Sequence, residues 1–241
     1  MKCPGQDSQY WKPGAIFNVK CPECDNEVEF FKDDPSRKCA KCGHKFLNPN
    51  LDFGCASYCE YAEQCIGNIP PELLAQKEDL LKDRVAIEMK RYFKQDFKRV
   101  GHAVRVARYA EQIGREERGN LAVILVSAYL HDIGIKEAEK KHQSTAARYQ
   151  EVEGPPIARE ILIKLGAKGE LIEEVCEIIA HHHHPGTDET KNFQCLYDAD
   201  LIVNLEENQK ESPSDPEKLK KTVESAFLTE SGRNLAGKVL L

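Results

Sequence analysis

The chain has 241 residues, with 34 Lys and Arg against 40 Asp and Glu, a formal net charge of −6. That length gives one or two domains with a core of useful size, and 41% hydrophobic with 31% charged residues is a globular rather than a disordered composition. The negative balance argues against general binding of nucleic-acid backbones. The longest apolar stretch, Leu121 to Leu130, is ten residues where a membrane helix needs about 20, and Met1-Lys2-Cys3-Pro4-Gly5 opens no apolar signal region, so a cytoplasmic protein free of membrane is expected.

Cysteine and histidine divide the chain. Eight of the ten cysteines lie in the first 65 residues, and seven of the eight histidines follow residue 100. Without an export signal, such cysteine density points to metal or redox use rather than disulfides. Residues 1–69 are read as a first unit. Alternating patterns in Ala15-Ile16-Phe17-Asn18-Val19-Lys20 and Glu27-Val28-Glu29-Phe30-Phe31, with turns at Asp33-Asp34-Pro35-Ser36 and Asn48-Pro49-Asn50, predict short hairpins. So few large apolar residues make a small core, and metal is expected to complete the fold.

Cys21-Pro22-Glu23-Cys24 and Cys39-Ala40-Lys41-Cys42 are two CxxC knuckles separated by fourteen residues. A two-residue spacing lets one tight turn present both thiolates to a tetrahedral ion, and the second knuckle closes the shell. The pattern resembles zinc ribbons and rubredoxin-like knuckles, which implies structural Zn²⁺, with iron as the alternative. Cys55, Cys59 and Cys65, with Cys3 as a fourth, form a second set that could hold another Zn²⁺ or an iron–sulfur cluster, although their spacing fits no standard ferredoxin run. Residues 1–70 carry eight Lys and Arg against ten Asp and Glu, so the head reads as a structural or protein-contact module rather than a nucleic-acid reader.

Ile69-Pro70-Pro71 marks a junction, and residues 70–241 are read as a helical body. Helices are predicted at about 72–94, 96–115, 119–132, 143–150, 155–165, 169–182, 194–207 and 216–229, punctuated by glycine and proline; Pro155-Pro156 suits a first turn and Ser144-Thr145 a helix start. His102 shares a face with Val106, Tyr109 and Ile113, so it points inward, where an unpaired imidazole is unfavourable. His131-Asp132 ends the apolar helix 122–130, and Asp200 sits in the apolar segment around Leu201-Ile202. Such groups make sense at these positions if they coordinate an ion. His182 is in phase with Leu171, Val175 and Ile178, and His183 with Ile172 and Ile179, whereas His181, His184 and His142 read as rim or surface residues. Cys176 and Cys195 read as core thiols.

Three segments, His102-Ala103-Val104-Arg105-Val106, Leu130-His131-Asp132-Ile133-Gly134 and Ala199-Asp200, resemble the HD superfamily of metal-dependent phosphohydrolases over roughly residues 80–210. The resemblance implies a mainly α protein: an all-α HD body behind a small β zinc-ribbon head. It implies that His102, His131, Asp132 and Asp200 ligate a divalent ion (Mn, Mg, Fe or Ni), and that in binuclear members His182 and His183 add ligands with Asp132 bridging. Glu153 stands where such members often carry His. It is read either as a further ligand suited to Mg²⁺ or Mn²⁺ or as an anion at a helix N-terminus. One and two ions both stay open.

The implied reaction is hydrolysis of a nucleotide or other small phosphoester or phosphoanhydride by metal-activated water, with Asp132, Lys136 and Arg105 as catalytic candidates, the two cations facing developing charge. Two other readings stand beside it: a mixed-valent di-iron oxygenase, and a ligand-binding sensor or scaffold whose head docks a protein partner. Oligomeric state has no signature in the sequence.

Overall fold

The computed structural model describes residues 13–241 apart from 52, 58, 60, 68, 71, 72, 74–78 and 214. Cys3 lies outside the described residues.

The head begins with two antiparallel hairpins. Strand β1 (Ile16–Lys20) pairs with β2 (Glu27–Phe31) in a register that sets Phe17 opposite Phe30 and Val19 opposite Val28. Strand β3 (Ser36–Lys38) pairs with β4 (Lys45–Leu47). Phe30 stacks on Phe17 and meets Phe46 edge-on at 5.3 Å, so one aromatic from each hairpin closes a core that otherwise holds Cys21, Val28 and Cys39. Buried Asn48 ties the hairpins together: its amide donates to the Phe31 and Asp34 carbonyls, and its oxygen accepts the Asn50 N–H. A 3-10 turn (Gly54–Ser57) and helix α1 (Ala62–Ile66) follow. Ala62 and Ile66 pack on Ile87 of the first long helix.

The body consists of α2 (Asp79–Phe93), α3 (Phe97–Glu116), α4 (Leu121–Leu130), α5 (Ile135–His142), α6 (Ala147–Lys164), α7 (Gly169–His181), α8 (Lys191–Glu211), α9 (Pro216–Ser225) and α10 (Glu230–Leu240). Helix α4 is buried from Val123 to Leu130 and is the hub, touching α2, α3, α7 and α8. Such all-round apolarity suits a central helix. Side-chain caps set several starts: Asp96 accepts the Arg99 N–H, Asn120 that of Ala122 and Thr190 that of Phe193. No helix among the described residues is long and apolar enough to cross a membrane.

Three boundaries depart from the sequence reading. Helix α6 runs unbroken through Pro155 and Pro156, where two helices were expected. Each proline forfeits a helical hydrogen bond, yet Gly154 seats against Ile179 of α7 so closely that packing keeps the two halves in line. Helix α5 was not expected: its sequence, IKEAEKKH, offers only Ala138 to the interior. The last expected helix, 216–229, stops at Ser225, and α10 follows beyond it: Asp198 of α8, wholly buried, accepts the N–H groups of Leu228 and Thr229 and the Thr229 hydroxyl, anchoring α10 as a separate element.

Candidate metal centres

The two knuckles of the head follow β1 and β3, and each closes with a backbone hydrogen bond back to its first cysteine: Asp25 N–H to Cys21 O and Gly43 N–H to Cys39 O. Gly43 holds a φ of +77°, a conformation glycine takes at no steric cost. The result brings four sulfurs within 4.8 Å of one another, with Cys21–Cys42 and Cys24–Cys39 both at 3.6 Å. Disulfides would need about 2.05 Å, whereas sulfurs tetrahedrally placed around zinc at about 2.3 Å stand about 3.8 Å apart. The Cys42 N–H pulls the Cys39 thiol down to about 6 against burial. At Cys42 the His44 N–H is outweighed by burial and by the three neighbouring sulfurs, which push its thiol up to about 12. Without a cation the four cannot all be thiolates, and a divalent ion is the species that makes them so. The donor set fits Zn²⁺.

In the body, His102 projects from α3, His131 and Asp132 from the end of α4, and Asp200 from α8. His102 Nε2 lies 3.0 Å from Asp200 Oδ1 and 3.3 Å from His131 Nε2, which is itself 3.5 Å from the same Asp200 oxygen. His182 and His183, following α7, form a second group with Asp132. Asp132 stands between the groups: Oδ2 is 3.5 Å from His131 Nε2, and Oδ1 is 3.9 Å from His182 Nε2.

The tautomers follow from the partners. His131 Nδ1 lies 2.9 Å from the Ala128 carbonyl and His182 Nδ1 2.8 Å from the Ile179 carbonyl. A carbonyl only accepts, so Nδ1 carries a hydrogen in both, and Nε2 is the nitrogen each ring turns into the site. The Nε2 atoms of His182 and His183 are buried without a hydrogen-bond partner. Bare imidazole nitrogens facing carboxylates in a buried space are a donor set for a divalent ion, and His with carboxylate suits Mn²⁺ or Fe²⁺. Burial opposes charge on His131, but the Asp132 and Asp200 carboxylates and the Ala128 carbonyl hold it up to about 9. Burial also opposes charge on Asp132 and Asp200, yet the neighbouring histidines keep both well below the usual carboxylate range. His183 goes the other way, down to about 4, through burial and the nearby His182. A proton thus sits where a cation belongs.

Several sequence-derived candidates stand elsewhere. Lys136 donates to the Tyr92 and Phe93 carbonyls at 2.9 Å each, capping the C-terminus of α2 instead of facing the ligand groups. Arg105 pairs with Glu206 and Glu207 rather than standing free over the site. Glu153 is engaged by Lys141 at 2.5 Å and His142 at 3.0 Å, outside both ligand groups. His142, expected at the surface, is exposed there and stacks on Tyr149. His181 and His184 bond Glu189 and Glu151 at the rim. Among the described residues Cys55, Cys59 and Cys65 join no ligand group; Cys55 is exposed and the other two half-buried. Cys195 is buried and its thiol pushed up to about 12 by that burial, as a core thiol would be.

Sequence reasoning missed three supporting residues. Glu207 Oε1 lies 3.3 Å from His102 Nδ1 and takes the Arg105 guanidinium as well. Asn204 donates to Asp200 Oδ2 at 2.9 Å. Arg99, pinned by Asp96 and Glu139, projects its field onto Asp132. Helical spacing is the available signal: 204 and 207 lie one and two turns after Asp200, and 99 one turn before His102.

Comparison with known proteins agrees with this geometry. Residues 99–205 match the family model of the HD domain. A solved structure, a predicted HD superfamily hydrolase from an uncultured Thermotogales bacterium, superposes with a TM-score of 0.50 at 23% identity, covering 66% of this chain and 84% of that one. No curated protein matches the chain. The clustered histidines and aspartates of the helical body lie within the span 99–205 that matches the HD domain, behind a ribbon-like head with four clustered cysteines.

Proposed function

We propose that this protein is a metal-dependent hydrolase of a small phosphoester or phosphoanhydride, a nucleotide being the leading candidate, and that its body holds two divalent ions. The observation that carries this reading is Asp132, whose two oxygens face two separate His-containing groups. A divalent ion supplies Lewis acidity toward a phosphoryl oxygen and acidifies water to near neutrality. The chain supplies the rest. His102, His131 and Asp200 would hold one ion and His182 and His183 the other, with Asp132 available to both. Asn204 and Glu207 fix the orientation of Asp200 and His102. Arg99 lends positive potential at the edge where phosphate oxygens would lie. Residues 1–69 act as a structural zinc module and protein-docking surface, and residues 70–241 as the catalytic unit.

Release of phosphate from a panel of nucleotides and small phosphoesters with Mn²⁺ tests the reading. Release that disappears in Asp132→Asn is expected. No release with Mn²⁺, Mg²⁺, Fe²⁺ or Ni²⁺ overturns it, and oxygen uptake with Fe²⁺ would replace it with the oxygenase.

A further inference from the structure

Besides the His182 and His183 nitrogens, another buried polar atom near the centre lacks a partner: the side-chain oxygen of Gln150. Gln150 is only 7% exposed. Its amide nitrogen donates to the Thr145 carbonyl at 2.6 Å, which fixes the flip of the group and leaves an acceptor, not a donor, unpaired. A buried acceptor without a partner is unfavourable unless something positive meets it.

The packing shows what lies opposite. Helices α6 and α7 run antiparallel: the Glu151 carboxylate accepts the His183 N–H, the Pro155 carbonyl accepts from Cys176, and Arg159 pairs with Glu173. Gly154 is wedged between Ile179 and Gly134, with a Cβ at 154 standing 2.8 Å from the Ile179 side chain and 3.7 Å from the Gly134 nitrogen. Gly134 in turn leaves no room for a Cβ beside the Gln150 carbonyl and Gly154 nitrogen. Gln150 is one turn before Gly154 on the same face, and His182 and His183 are one turn beyond Ile179. The same seam, one turn along, therefore sets Gln150 between His182-His183 and the Asp132–Gly134 turn.

We infer that Gln150 is a further ligand, giving its amide oxygen to the ion held by Asp132, His182 and His183. The inference rests on the two-ion reading above. A carbonyl-type oxygen beside two imidazoles and a carboxylate completes a hard, mixed donor set suited to Mn²⁺ or Mg²⁺.

Titrating Mn²⁺ into the chelator-treated full chain, with free Mn²⁺ read by its EPR signal, counts the ions without any substrate. The wild type should bind two. Gln150→Met keeps length and bulk but loses the oxygen; it should weaken the second ion tenfold or more and leave the first within twofold. Gln150→Glu restores an oxygen and should hold the second ion at least tenfold more tightly than Gln150→Met does; should the Met variant not fold, tenfold weaker second-ion binding by the Glu variant than by wild type overturns the inference. Two ions bound by folded Gln150→Met with wild-type constants overturns the inference alone. A single ion in the wild type overturns the two-ion reading and this inference together.

Discussion

The head and the body each gather metal-ligating side chains, but around different amounts of core. In the head, the hairpin core consists of Cys21, Val28, Phe30, Cys39 and Phe46, so two of its five buried residues are themselves candidate ligands. In the body, one apolar cluster runs from Leu81 of α2 to Ala236 of α10 and does not depend on the histidines. The ligand shells differ in the same sense. Four sulfurs close a tetrahedron, leaving no vacant direction, whereas the body offers nitrogens without partners and an Asp132 that is 20% exposed. On the proposed reading, metal in the head would replace core, and metal in the body would be a reagent on a core that already exists.

The largest effect that would sharpen this contrast is in the head. Cys39→Ser should remove the ribbon metal, whose binding is of order 10 kcal/mol in comparable Cys/His modules, and unfold residues 16–47 while the helical body persists. Amide exchange would show protection lost in β1–β4 and kept in α4. Full protection in the hairpins of the variant would mean that the head folds without its ion.

The body should answer in the opposite way. Asp132→Asn keeps the shape of the side chain but removes the charge that both ligand groups share. Mn²⁺ binding and phosphate release should fall by about 10³-fold or more, with the metal-free melting midpoint moved by only a few degrees. A collapse of the body on losing this carboxylate would erase the distinction between the two centres.

A smaller, graded effect comes from pH. His131 keeps a proton in the metal-free fold up to about 9, although an unfolded histidine releases it near 6.5. That proton stabilises the metal-free body fully below about pH 6.5, and the contribution is lost as pH rises through about 9. An ion needs the same nitrogen bare. Mn²⁺ affinity should therefore climb about tenfold per pH unit across this window, one proton leaving per ion bound. A flat profile in a Mn²⁺ titration would show that His131 is not displaced from its proton by metal.

How much of this was legible before the fold depends on how far apart the partners lie. The knuckles could be read because each CxxC turn is local. His102, His131, Asp132 and Asp200 could be read because an inward-facing titratable group on an apolar face is conspicuous within one helix. Glu207 could not, since its partner His102 is 105 positions away. Arg105 reads from its spacing as a cation for developing charge, and the Glu206 and Glu207 carboxylates that pair with it leave no local signal because they come from a distant helix. Helix α5 leaves no signal in the sequence because a short polar helix has no apolar stripe, and α6 reads as two helices because proline is a local breaker whose effect is overridden here by packing between α6 and α7. Replacing Glu207 by Gln would measure one of these long-range contacts: about tenfold weaker Mn²⁺ binding is expected through the loosened His102, and an unchanged constant would reduce Glu207 to a partner of Arg105.

The smallest effect separates the two roles open to Lys136. From spacing alone, a lysine four residues after Asp132 reads as a cation for developing phosphoryl charge. In the fold its ammonium is committed to the Tyr92 and Phe93 carbonyls and lies 5.6 and 5.5 Å from the centres of their rings. A lysine near the last carbonyls of a helix satisfies groups that have no partner within the helix and complements its dipole. Lys136→Met keeps most of the aliphatic stem and deletes these bonds, so it should cost about 1–2 kcal/mol, seen as faster amide exchange at the end of α2. Phosphate release and Mn²⁺ affinity should stay within about twofold, because nothing the ammonium touches is a ligand. A tenfold loss of release with α2 unaffected would return Lys136 to the chemistry and show that the ammonium leaves its two carbonyls when substrate binds.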